Sequence, residues 1–171
     1  MNLTSSTAAH LPLPSWAYVP GETADAEPDH EALGRAKALV PAQFFGHVPT
    51  RHPALRYGMA LNDAGYFWEA QEVLEAVWAA APQRGRERIL LRACIQIANA
   101  NLKLRIQRPN ATARLWGEAL AEIELLARRS PASGDGFADR FPAAQLAKLL
   151  KARLAQATLS KSDWIAFGSL S

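Results

Sequence analysis

The chain has 171 residues, of which 49% are apolar and 20% charged, with 19 Lys and Arg against 16 Asp and Glu and a formal net charge of +3. That length suits one domain with a sizeable core and is hardly long enough for two. A single cysteine, Cys94, excludes disulfides within the chain, no stretch approaches the ~18 uninterrupted apolar residues of a membrane span, and the first residues lack the basic and apolar regions of a leader, so a cytoplasmic protein is expected.

Residues 1–28 read as an irregular arm, because Pro12, Pro14, Pro20 and Pro28 cannot sit inside helices. Leu11, Leu13, Trp16, Tyr18 and Val19 are too apolar for a free tail, so the arm is expected to lie against the body or against a neighbouring subunit, which leaves a homo-oligomer open. The helical domain then spans 29–171. Its first helix is expected from Asp29 or His30 to Val40, ending before Pro41, and a second from Pro53 to Asn62. Gly65 turns the chain into GYFWEAQEVLEAVW, Gly65 to Trp78, and after a turn at Pro82 to Gly85 an apolar helix runs from Ile89 to Ile106. Pro109 and Asn110 break the chain before a helix from Ala111 to Arg129. Ser130 to Asp139 is a loop, and Pro142 leads a last helix, Ala143 to Thr158, striped by Leu146, Leu149, Leu150 and Leu154. The tail, with Trp164, Ile165 and Phe167, is expected to dock. Strand signals are nearly absent. The fold class is therefore all-α, a single compact bundle of about five to six helices around a central antiparallel hairpin.

The hairpin carries the most unusual chemistry. At about 100° per residue, Trp68, Gln71, Glu72 and Glu75 fall on one side of the third helix with Trp78 at its edge, while Ala70, Val73, Leu74 and Val77 fill the opposite arc. On the following helix Arg92, Gln96, Asn99 and Lys103 recur at spacings of four, three and four in an otherwise apolar sequence. One expectation is that the two polar stripes face each other and enclose a site. The other is that both face water as ordinary solvated sides. An exposed side would carry Lys and Glu freely rather than Trp, Gln and Asn.

These segments resemble a bacterial helical family, domain of unknown function 309, whose hallmark is a Gly-Tyr, Trp/Phe-Glu-Ala-His-Glu, Leu-Glu, Trp run followed by a Gln-rich apolar helix. The matching pieces are Gly65 to Trp78, CIQIANANLK at Cys94 to Lys103, and Arg108-Pro109 with Leu115 beyond. Trp16-Ala17-Tyr18-Val19-Pro20-Gly21 resembles the start of longer members, so the resemblance covers roughly 16 to 127. The family's His is Gln71 here. The resemblance implies a compact helical domain with a site drawn from Trp68, Glu69, Gln71, Glu72, Glu75, Arg92, Gln96, Asn99 and Lys103, and assigns none of them a role. Gly65, Ala70, Leu74, Val77 and Pro82 also stand at the intervals of the second helix of a tetratricopeptide repeat, but no unit recurs at a period of ~34 residues.

Three chemistries compete for this face. Glu72 and Glu75, spaced i, i+3, are candidate ligands for a divalent metal, against which the four histidines, His10, His30, His47 and His52, all lie outside the hairpin and Gln71 is a poor ligand. The same carboxylates could serve as general acid or base in a hydrolase-like enzyme, with Trp68 and Trp78 drying the site, yet no nucleophile constellation or Gly-rich phosphate loop accompanies them. A buried ion-pair and amide network joining the helices is the structural alternative. Basic residues cluster at Arg84, Arg86, Arg88 and Arg92 and again at Lys103, Arg105 and Arg108, at opposite ends of one helix, which disfavours nucleic acid as a partner. The resulting expectation is a non-enzymatic binding or interaction domain without a cofactor, taking a small ligand or a protein, with the metal- or carboxylate-dependent enzyme as alternative.

Overall fold

A computed structural model describes residues 11–22, 26–129, 134 and 136–170. Among them are seven α-helices and no strand: α1 His30–Lys37, α2 Pro53–Asp63, α3 Phe67–Ala80, α4 Arg86–Arg105, α5 Pro109–Ala127, α6 Phe137–Arg140 and α7 Ala143–Leu154, followed by 3-10 turns at Lys161–Asp163 and Phe167–Ser169. The all-α reading holds. The expected arm falls partly on residues 1–10 and 23–25, and the expected loop partly on 130–133 and 135, outside the described residues.

Local chemistry sets the boundaries. The Asp29 carboxylate accepts from Ala32 N at 3.3 Å and opens α1, and His52 Nδ1 accepts from Ala54 N at 3.2 Å ahead of Pro53 at the first position of α2. Helix α1 ends at Lys37 rather than Val40, because Leu39 N and Val40 N bond three residues back and tighten the chain into a turn. Gly65, at φ +92°, separates α2 from α3. Pro109 begins α5 instead of breaking the chain before Ala111, since the reversal is made at Gln107, which takes φ 61°. Helix α7 stops at Leu154, four residues short of the expected Thr158, and α6 begins inside the segment expected as loop and ends one residue beyond it.

Helices α3 and α4 form the expected antiparallel hairpin, with α2 against α3, α5 against α4 and α7 against α5. The main core lies between them: Leu55, Leu74, Val77, Leu90, Leu91, Cys94, Ile97, Trp116, Leu146, Leu150 and Ile165 are at most 1% exposed. At α3 this follows from its pattern, since Ala70, Val73, Leu74 and Val77 are all fully buried while Glu75 on the other side is exposed. Burial of that kind stabilises by about 1.5–3 kcal/mol per large apolar side chain. Phe44 N donates to Ala80 O at 2.8 Å, and Phe137 N to Val48 O at 2.8 Å, so the long segment between α1 and α2 is stitched to the turn ends of α3 and α6.

Helices α2 and α3 approach closely at Gly58, where a Cβ would stand 2.7 Å from Leu74 Cδ2 and 2.9 Å from its Cγ. Leu74 is fully buried and has nowhere to move. Gly58→Ala should therefore lower stability by about 1–2 kcal/mol in urea unfolding, the overpacking strain outweighing the gain in helix propensity of about 1 kcal/mol. A variant more stable than the parent would show that the two helices can part without cost.

Candidate functional site

The two polar stripes of the hairpin do not enclose a common site. Glu72 pairs with Lys37 of α1 at 2.9 Å, and Gln71 Nε2 reaches only its own helix, donating to Phe67 O at 3.4 Å. On α4, Arg92 Nε stands 3.5 Å from Glu122 and Gln96 Nε2 donates to Glu118 at 3.4 Å, both on α5. The reason is rotational: the apolar arcs of α3 and α4 pack on each other, which turns one stripe towards α1 and the other towards α5. Asn99 and Lys103 of the same stripe are half-buried. Glu75 is exposed, although its neighbours partly desolvate the carboxyl and, with the Glu72 charge beside it, lift its pKa above the usual carboxylate range. Among the described residues no group of three or more His, Cys, Asp or Glu side chains comes together as a metal site would require.

Trp68 and Glu69 instead receive the arm. The Tyr18 ring meets Trp68 edge-on, with centroids 5.2 Å apart at 70°, and Tyr18 N donates to Glu69 Oε2 at 2.9 Å. Val19 is 2% exposed and packs with Phe67 and Leu102, while Tyr57 Oη donates to Pro12 O at 2.8 Å. Glu69 itself is fully buried, and its Oε1 has no hydrogen-bond partner. Burial raises its pKa, a shift that the Tyr18 amide only partly opposes.

At the far end of the hairpin the tail is held by two buried asparagines. Asn101 Oδ1 accepts from Ile165 N at 2.8 Å and its Nδ2 donates to Ile165 O at 2.8 Å, so one side chain pairs with both backbone groups of a residue 64 positions away. Asn62 Nδ2 donates to the same carbonyl at 3.0 Å, and its Oδ1 accepts from Asn101 at 2.8 Å. The neighbouring Asp63 carboxylate accepts from Phe167 N at 2.6 Å and Gly168 N at 2.7 Å. Among the sequence-predicted residues none belongs to this cluster. The signal was present, since Asn62 and Asn101 interrupt apolar helical positions where a poor helix former has no reason to stand unless it bonds to something.

Two clefts flank the hairpin. One, of about 340 Å³, lies beside the asparagine cluster and is lined by Phe67, Trp164, Asp63, Arg105 and Lys161. Its polar groups are largely committed, since Arg105 pairs with Glu22 at 3.0 Å and Asp63 holds the tail. The other, of about 470 Å³, lies at the turn end and is lined by Trp78, Arg84, Arg88, Arg92, Arg129 and Glu122. The Arg88 guanidinium stacks 4.0 Å above the Trp78 ring. Arg92 is the one residue of the predicted set that lines this cleft.

Residues 55–115 match a family model described as Domain of unknown function (DUF309). The matched stretch takes in most of α2, all of α3 and α4, and the first part of α5, and is narrower than the 16–127 suggested by motif resemblance. Neither the curated proteins nor the solved structures give a match. Among the described residues no helix is long and apolar enough to cross a membrane.

The matched segment thus supplies the surfaces on which the arm and tail, both outside the match, are seated. Its buried Glu69 has a measurable signature. Between the ordinary Glu pKa and the raised one, the folded chain binds more protons than the unfolded chain, so stability falls as pH rises through that window and levels off above it. Glu69→Gln retains an acceptor for Tyr18 N and cannot titrate. Its melting temperature should change less than that of the parent between mildly acidic and neutral pH. Parallel curves for the two proteins would contradict a raised Glu69.

Proposed function

We propose that the chain is a cytoplasmic, non-enzymatic binding domain whose ligand surface is the cleft at the turn end of the hairpin. The observation that carries this reading is the set of cations left uncommitted there. Arg84, Arg88 and Arg129 form no ion pair with a carboxylate among the described residues, and the cavity of about 470 Å³ is within the range of small-molecule sites. By contrast Glu72, one of the two candidate catalytic carboxylates with Glu75, is engaged with Lys37, and Glu69 is engaged with the arm. Cys94 is fully buried, and burial pushes its thiol far above the ordinary cysteine range, which makes it a small hydrophobe rather than a nucleophile.

The carboxylate-dependent alternative draws on the adjacency of Glu72 and the raised Glu75. Native mass spectrometry with elemental analysis, on protein prepared without a metal-affinity tag, separates the two. The binding reading predicts that Glu72→Gln changes stability by less than about 1 kcal/mol, as expected for a half-exposed ion pair, and leaves any copurifying small molecule in place. A stoichiometric metal that disappears with Glu72→Gln would overturn it.

A further inference from the structure

Resting on that reading of the turn-end cleft, we propose that its ligand is a small, multiply charged phosphate-bearing molecule. The charges do not cancel locally. Of the four arginines, only Arg92 faces a carboxylate among the described residues, Glu122, and at 3.5 Å that contact is long for a charge-assisted bond. Arg88 Nη1 donates to Ala81 O and Arg129 Nη1 to Arg84 O, each at 3.2 Å. These acceptors are neutral. They fix the guanidinium heads without removing their charge, and Trp78 holds Arg88 from its face in the same way.

Arg88 and Arg92 are one helical turn apart, a like-charged pair that weakens a helix when nothing lies between them. Helix α4, 20 residues long, also begins at this cleft: its N-cap is Gly85, which lines the cavity and offers no side-chain cap. Several planar forks converging on one concavity match the paired oxygens of phosphate groups better than a lone carboxylate, which would leave most of the charge unmatched.

The shape points to a small molecule rather than a nucleic-acid strand. The second basic group, at Lys103, Arg105 and Arg108, lies at the other end of α4, and Arg105 is already paired with Glu22. No continuous cationic track joins the two groups, and the one aromatic ring in the cleft is covered by Arg88.

Calorimetric titration of the full chain with tripolyphosphate, at about 25 and about 150 mM salt, tests the proposal. One-to-one binding is expected, tighter than for inorganic phosphate, and weakened about tenfold by Arg129→Ala and by Arg88→Ala. Arg129→Ala removes only a contact to a backbone carbonyl at an exposed helix end, so it reports on the ligand even where Arg88→Ala disturbs the turn. Arg88→Lys, which keeps charge but loses the fork, should fall between parent and alanine variant. Tripolyphosphate binding that neither variant weakens would overturn the placement. Tighter binding of a single-stranded oligonucleotide than of tripolyphosphate, with a steeper salt dependence, would overturn the small-molecule form. Absence of tripolyphosphate binding would overturn the ligand class alone if native mass spectrometry still shows a bound molecule that Arg129→Ala releases, and the binding reading with it if no such molecule is found.

Discussion

The pairing of Asn101 with the backbone of Ile165 is the constraint on which the arrangement of this molecule depends. Asn101 is fully buried at the far end of the hairpin, so its amide must be satisfied by protein, and its two ends are matched to the amide and carbonyl of one tail residue in the manner of a neighbouring strand. Asn62 completes the pattern by donating to the same carbonyl and accepting from Asn101. Removing any member strands a buried polar group, at a cost of about 1–3 kcal/mol each. The cluster therefore ties the tail to both α2 and α4, and Asp63 extends it to Phe167 and Gly168, where a Cβ on Gly168 would come within 2.9 Å of Asp63 Oδ2.

A parallel device operates on the other flank. Trp68 and Glu69, at the start of α3, seat Tyr18 by an aromatic edge and a backbone amide, and Val19 fills the space beside Phe67 and Leu102. The N-terminal turn of α4 is anchored similarly: Arg86 pairs with Asp139 of α6, and the carboxyl of the buried Glu87 lies under Gly136, which leaves no room for a side chain there. Polar groups at the hairpin thus hold the segments packed around it, and Arg84, Arg88 and Arg129 at the turn end stand apart because they pair with no carboxylate among the described residues.

Much of this was legible before the structure. The apolar arc of α3, the hairpin, the helix order and the docking of Trp164 to Phe167 follow from periodicity and from Pro and Gly positions, because burial of an apolar stripe is a local property of the sequence. Which neighbour each polar stripe meets is not. Glu72 reaches Lys37 across 35 residues and Arg92 reaches Glu122 across 30, and the choice depends on how α3 and α4 rotate when their apolar arcs close. Pro109 was misread as a breaker because the same residue type suits a first helical position, and the decisive turn lay two residues earlier at Gln107. Asn62 and Asn101 were visible as oddities, but their partner was a backbone more than 60 residues distant.

The hairpin's buried amides and carboxyls hold the flanking segments. Native-state hydrogen exchange tests this most directly, because the amides of Ile165, Phe167 and Tyr18 donate to Asn101, Asp63 and Glu69 rather than to any regular helix. The Ile165 amide should exchange as slowly as the core amides of α4, opening only with the whole domain. Exchange of Ile165 at the rate of a free chain, with α4 still protected, would contradict it.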